Sequence, residues 1–405
     1  MGAEKEQSLF QVSLSQAGLG EESGKKFALP PSTSHLSLLE LVYSFRSDLK
    51  GENIAFFLNK SLIQSSLLNE AKIQKLGSED LLEIEYAVAS YMPKTKNIFP
   101  NIEWISALKI LDGIVISGLY DGKMNFWDLK TNQLINCKDL THAIHSIDVF
   151  KLNNAKYLIS GHEDGSISIF GSNENKDFYE KEILVNNFVP HKLPVSKIQS
   201  FPDAGVVLSA SYDQTTKLFK FNANNTESPL TELFTSKMHS QPVMDALFVK
   251  NGSSYLSGSL DGKLLQVDVE KFWETSAEFN LNSEIFSLCC LDYESNSPTV
   301  LAGCADNKIK LIDTRSNESL LFRNSFTSHT NIVSCLANDP LHKSNSFFSA
   351  GYDKILKHWD MRSPSVPLHD IRDHGGRILS LDTEEWILCS GATDGNLNIY
   401  NRSKK

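Results

Sequence analysis

Ser117-Gly118-Leu119-Tyr120-Asp121-Gly122, Ser257-Gly258-Ser259-Leu260-Asp261-Gly262 and Ser390-Gly391-Ala392-Thr393-Asp394-Gly395 are one phrase written three times. Looser copies complete a series of seven aspartates: Asp121, Asp164, Asp213, Asp261, Asp306, Asp353 and Asp394. The gaps are 43, 49, 48, 45, 47 and 41 residues, the period of a four-stranded propeller blade. Six residues after each aspartate stands a large apolar side chain: Trp127, Phe170, Phe219, Val267, Ile312, Trp359 and Tyr400. Serine lies four residues before it in six repeats (Ser117, Ser160, Ser209, Ser257, Ser349, Ser390), with Ala302 in the other. Histidine precedes it by 20 to 24 residues in five, as His142, His191, His239, His329 and His374.

This register resembles the WD-repeat family. There the turn Asp, the His entering the blade, the strand Ser and the Trp form one hydrogen-bonded set, because polar groups at a partly buried blade end need partners. Only the sixth repeat carries all four members, His329, Ser349, Asp353 and Trp359. Groups that recur once per blade are spread round a ring and do not converge on a point. The sequence holds no H-E-x-x-H, G-x-S-x-G or Walker-type loop. It reads as a non-enzyme with no cofactor of its own.

The chain of 405 residues has room for seven blades of roughly 300 residues and one small domain. No apolar run approaches the ~20 residues of a membrane span, so no membrane role is expected. The start, Met-Gly-Ala-Glu-Lys-Glu, lacks the apolar stretch of a secretory signal. Glu6 stands where myristoylation needs Ser or Thr. Six cysteines without C-x-x-C spacing, mostly in apolar strand contexts, suit a reducing, intracellular compartment. Net charge is −10, about −4 of it in residues 1–90. That balance argues against bulk phosphate binding and leaves proteins as the first partners, with local RNA contact still open.

Residues 1–90 break the repeat. Residues 8–14 alternate as a half-buried strand and 25–29 return as its hairpin partner. Thr33 or Ser34 can cap a helix carrying Leu36, Leu39, Leu41, Val42 and Phe45. Ile54-Ala55-Phe56-Phe57-Leu58 reads as a buried strand and Leu81–Tyr86 as a closing one, an order that predicts a β-grasp. The stretch Phe56–Tyr86, with its tight turn at Asn59-Lys60, a short Ser-Leu-Leu segment and a turn at Ile73-Gln74-Lys75, resembles ubiquitin. No Gly-Gly follows it, so conjugation is not expected. The fold predicted is an all-β seven-bladed WD-repeat β-propeller at 91–405, preceded by a small α+β ubiquitin-like domain at 1–90. The last repeat stops at its third strand, near Tyr400. Residues 91–100 are therefore expected to supply the closing strand, because an open sheet edge invites misassociation.

A ubiquitin-like domain joined to seven WD repeats resembles the WD-repeat subunit of the pescadillo-containing (PeBoW) complex. The likeness runs through Tyr91-Met92-Pro93 and Glu103-Trp104-Ile105-Ser106 into the first repeat. Notchless shares the layout but has an eighth blade, and family members often carry charged insertions that this chain lacks. The resemblance implies a non-catalytic factor in large-subunit ribosome biogenesis and rRNA maturation, in the nucleus, nucleolus and nucleoplasm. It implies as partners pescadillo, the other WD-repeat subunit of that complex and the large-subunit pre-ribosome. It also implies docking on midasin, an AAA ATPase, through a carboxylate that completes the partner's Mg²⁺ site in trans, since octahedral Mg²⁺ seeks oxygen ligands. In Leu76-Gly77-Ser78-Glu79-Asp80 that role falls on Glu79, with Asp80 as its rival.

The residues near each turn aspartate, read as Tyr120, His162, Tyr212, Leu260, Ala305, Tyr352 and Thr393, are expected on one face. Tyr120, Tyr212 and Tyr352 are the candidates for gripping a partner. The competing functional class is a ubiquitin-pathway substrate adaptor whose β-grasp domain works through an apolar patch.

Overall fold

The structure, a computed structural model, describes residues 9–17, 25–77, 80–152, 155–171, 183–223, 225, 229–249, 252–269, 275–291, 299–313, 325–342 and 345–402. Two compact units result. One holds residues up to Met92 together with Trp359–Leu368, and the other holds Pro93–His358 and residues from His369 onward.

The first unit is a mixed five-stranded sheet with helices. Strand β1 (Phe10–Gln16) pairs antiparallel with β2 (Lys25–Leu29). Helix α1 (His35–Phe45) follows, then β3 (Ile54–Leu58), β4 (Ser61–Leu62), α2 (Leu67–Ile73) and β5 (Leu81–Val88). The strand order is β2-β1-β5-β3-β4, with β1 and β5 parallel at the centre. Phe10, Val12 and Leu14 alternate inward from β1, Leu82, Ile84 and Tyr86 from β5, and Leu38 and Val42 close the core from α1. The first strand runs two residues later than its alternation predicts, because Ser15 and Gln16 still pair with Glu85 and Tyr86. Of the two candidate caps, Ser34 serves, accepting the Ser37 N–H. Asn59 and Lys60 both adopt positive φ, 48° and 63°, and so turn β3 tightly into β4. The Ser-Leu-Leu segment opens α2, where Glu70 accepts the amides of Gln64 and Ser65.

The second unit consists of seven four-stranded antiparallel sheets. Their first strands are Ile105–Leu111, Ile144–Leu152, Val195–Phe201, Val243–Val249, Ile285–Cys290, Val333–Asn338 and Ile378–Glu384, and each lies beside the next. The last also lies beside the first, so the ring is closed. Strand β6 (Lys94–Pro100) is the fourth strand of the seventh sheet and pairs antiparallel with Asn396–Asn401. Its Phe99 enters the core with Leu397 and Ile399 and stacks on Trp127 at 4.6 Å.

Side chains of the first strands tie several blades to their neighbours. Asp148 accepts the Ser200 N–H (2.6 Å), Asp245 that of Leu288 (2.8 Å) and Asp382 that of Ile110 (2.6 Å). Lys109 lies 3.4 Å from Asp148 and 3.9 Å from Asp382. These carboxylates interrupt otherwise apolar strands, a sequence signal that marks blade junctions. All six cysteines are free, and all but Cys137 are buried.

Candidate functional site

Each blade presents the same turn, and its geometry explains the repeated phrase. In all seven the aspartate carboxylate accepts the N–H two residues on: Lys123, Ser166, Thr215, Lys263, Lys308, Ile355 and Asn396, at 2.9–3.3 Å. The residue between takes a left-handed φ of 65° to 85° in every blade. Glycine meets that demand at 122, 165, 262 and 395 without strain, whereas Gln214, Asn307 and Lys354 adopt it with a side chain.

The histidines then clamp the turn. His329 lies 2.7 Å from Asp353 through Nδ1 and 2.7 Å from Ser349 through Nε2. His191 spans Asp213 and Ser209 in the same way, His239 spans Asp261 and Ser257, and His374 spans Asp394 and Ser390. Trp359 is fully buried on the strand Leu356–Asp360. In the first blade Trp127 Nε1 donates to Ser117 Oγ at 3.2 Å with no histidine present. Burial opposes ionisation of Asp353, but the His329 hydrogen bond and charge outweigh it and hold the carboxyl below its ordinary value.

Blades two and five depart from the register. His142 does not join Ser160; its side chain is 52% exposed, and it stands 3.5 Å from Asp164. His162 takes its place, with Nε2 3.0 Å from both Ser160 and Ser168. His162 is thus an interior residue and not a member of the surface set; Glu163 occupies that register position. In the fifth blade Lys310 reaches Asp306 at 3.0 Å and donates to the Leu281 carbonyl.

One residue per blade holds the same place before its turn aspartate. The N–H groups of Tyr120, Glu163, Tyr212, Leu260, Ala305, Tyr352 and Thr393 each donate to the carbonyl just before a first strand, at 2.9–3.1 Å. Three of the seven are the tyrosines, and they stand among further aromatic rings. Trp104 meets Tyr120 edge-on at 5.5 Å, Tyr120 meets His145 at 5.2 Å, and His145 lies 6.4 Å from Tyr212. Phe286 lies 6.5 Å from Tyr352, and the Arg377 guanidinium sits 5.0 Å above the Tyr352 ring. Burial, reinforced by Tyr120 and Tyr352, pushes the Tyr212 phenol up to about 12. The three rings are therefore within electrostatic reach of one another. Below them a cavity of about 140 Å³ is lined by Ser106, His145, Ser196, Phe286 and Ser334. Trp104 is 49% and Tyr120 39% exposed, a large aromatic area to leave in water.

Trp104, His145, Phe286 and Arg377 were not legible as site residues, because they sit at the starts of the first strands and lie outside the repeated phrase. A usable signal was their place directly before or after the first residue of those strands.

In the first unit, Leu76 N–H bonds to Ala71 and ends α2. Asp80 folds back so that its Oδ2 accepts the Gly77 N–H at 2.6 Å. Glu79, the candidate metal ligand, lies outside the described residues. Among the described residues no three His, Cys, Asp or Glu side chains converge as a metal site.

These features define a WD-repeat propeller with seven blades, joined to a β-grasp domain. The family described as WD domain, G-beta repeat matches residues 279–313 and 321–360. Over most of its length the chain is similar to proteins named ribosome biogenesis protein WDR12 homolog. That of Drosophila persimilis is 24% identical over 366 residues, covering 86% of this chain and 84% of the relative. That of Nematostella vectensis is 25% identical over 411 residues, covering 92% and 94%.

Proposed function

We propose that this chain is a non-catalytic assembly factor for the large ribosomal subunit, acting in the nucleolus and nucleoplasm. The observation that carries the reading is similarity along nearly the whole of both chains to proteins named for ribosome biogenesis. A match over 92% of the chain leaves about 32 residues outside it, fewer than either unit contains, so the likeness is not one of isolated repeats. The aromatic face around Tyr120, Tyr212 and Tyr352 is the grip for a protein partner of the pescadillo-containing complex. Its rings offer apolar area with polar tips, the composition of interface hot spots. Contact with rRNA is confined to local patches.

The β-grasp unit docks on a midasin-type ATPase through the turn at 77–80. Glu79 supplies the carboxylate that completes the partner's Mg²⁺ coordination. Asp80 is the weaker candidate, because one of its oxygens is engaged by Gly77 within the turn.

The test uses the full chain to capture partners from nuclear extract, in Mg²⁺ and in EDTA. A giant AAA ATPase should be retained only with Mg²⁺ and lost with Glu79→Ala, while capture of pescadillo is unchanged. Retention by the alanine variant in Mg²⁺ refutes the role of Glu79. Recovery of proteasome or ligase subunits regardless of metal refutes the assembly-factor reading.

A further inference from the structure

Every residue of Ile54-Ala55-Phe56-Phe57-Leu58 is apolar, and every one is buried. A strand with one wet face alternates; an unbroken apolar strand needs cover on both sides. Ile54, Phe56 and Leu58 face the α1 core. The opposite face, Ala55 and Phe57 with Leu62, Ala87 and Ala89, packs against Val366 and Leu368. Both belong to the segment Trp359–Leu368, counted within this same unit.

The contact is specific as well as apolar. The Leu62 N–H donates to Ser363 Oγ at 3.2 Å, and Ser363 in turn donates to the Val366 carbonyl at 2.7 Å. Gln64 Nε2 reaches the Pro367 carbonyl at 3.4 Å. The Arg362 guanidinium lies 4.8 Å from the Phe57 ring centre and is held there by Asp360. Leu62 sits on β4, the two-residue strand at the edge of the sheet. An edge amide of this kind is where an added peptide commonly binds.

We infer that Arg362–Leu368 is an intrachain ligand of the β-grasp sheet, filling its apolar face and satisfying its open edge. The face is closed to any partner that recognises an apolar sheet surface. Such a partner binds only by displacing the segment. The three alanines give a flat surface against which Val366 and Leu368 seat closely, and Ser363 supplies the acceptor the edge lacks. The inference does not depend on the ribosomal reading.

The test is hydrogen exchange on the full-length protein. In the wild type the Leu62 amide should exchange at least about 100-fold more slowly than an unprotected edge amide. Val366→Asp should raise exchange across residues 54–65 and 85–91 by about 10-fold or more, leaving peptides from the second and third blades unchanged. Ser363→Ala removes the acceptor without a buried charge and should release Leu62 selectively, which keeps the test open if Val366→Asp fails to fold. A Leu62 amide that exchanges freely in the wild type overturns the inference. So does a folded Ser363→Ala protein with Leu62 protection unchanged.

Discussion

Asp353 and Asp121 hold the same place in the same turn, and replacing each with alanine separates the work of the turn from that of the histidine. The Asp353 side chain is 2% exposed and that of its partner His329 1%. Asp353→Ala strands the His329 N–H in the interior, at about 1–3 kcal/mol, and removes charged hydrogen bonds to Thr330 and Ile355. The total is about 3–4 kcal/mol, within the roughly 3–5 kcal/mol for breaking a buried pair from one side. Asp121 is 27% exposed and, among the described residues, bonds to Lys123 alone, through its amide and its ammonium. Its loss should cost about 1 kcal/mol or less. At about 2–3 °C per kcal/mol, calorimetry at neutral pH should show Asp353→Ala melting about 6–12 °C below the wild type and Asp121→Ala within about 3 °C of it. Asp353→Asn, which keeps an acceptor for His329, should fall between. Because Asp353 titrates below its ordinary value, its contribution is full above the unfolded carboxyl value near 3.9 and disappears as pH falls through the folded one. Equal losses for the two alanine variants would refute the clamp as the source of stability.

Phe99→Ala should cost about 3–5 kcal/mol, because it empties a buried stack on Trp127 in the closing blade; chemical denaturation reads the loss, and an unchanged midpoint would contradict closure through β6. Burial lowers His162 to about 4 from 6.5, so it stays neutral in the fold while the unfolded chain takes up a proton below 6.5. Stability should therefore be intact above pH 6.5 and fall by about 3 kcal/mol between 6.5 and 4 from this group; melts at pH 7 and 4.5 should show a smaller decline in His162→Gln. Replacing Tyr120, Tyr212 and Tyr352 together by alanine should weaken partner capture at least about 100-fold, as expected for a hot-spot cluster, and circular dichroism should find the strands intact.

The ring was legible because one turn, with its left-handed residue after the aspartate, had to be encoded seven times. Closure was legible from a deficit, since the last repeat ran out of chain after its third strand. The β-grasp helix α1 and its cap were readable from local pattern, but α2 was not, being only seven residues long. Residues that meet only when the ring forms escaped the sequence. Trp104, His145, Phe286 and Arg377 come from four blades and share no local phrase. His142 and His162 show the limit of register: both lie near Asp164, and burial, not spacing, decided which one holds Ser160.

The pairing of β6 with Asn396–Asn401 sets the order of events during synthesis. Those two strands lie roughly 300 residues apart, so at 5–20 residues per second the first waits on the order of 15–60 s for its mate. The seventh sheet cannot be completed until Asn396–Asn401 has been made. The ring is therefore locked last, by its most distant contact. Until then strand β6 lacks its hydrogen-bonding mate, and Phe99 has Trp127 but not Leu397 and Ile399 to cover it.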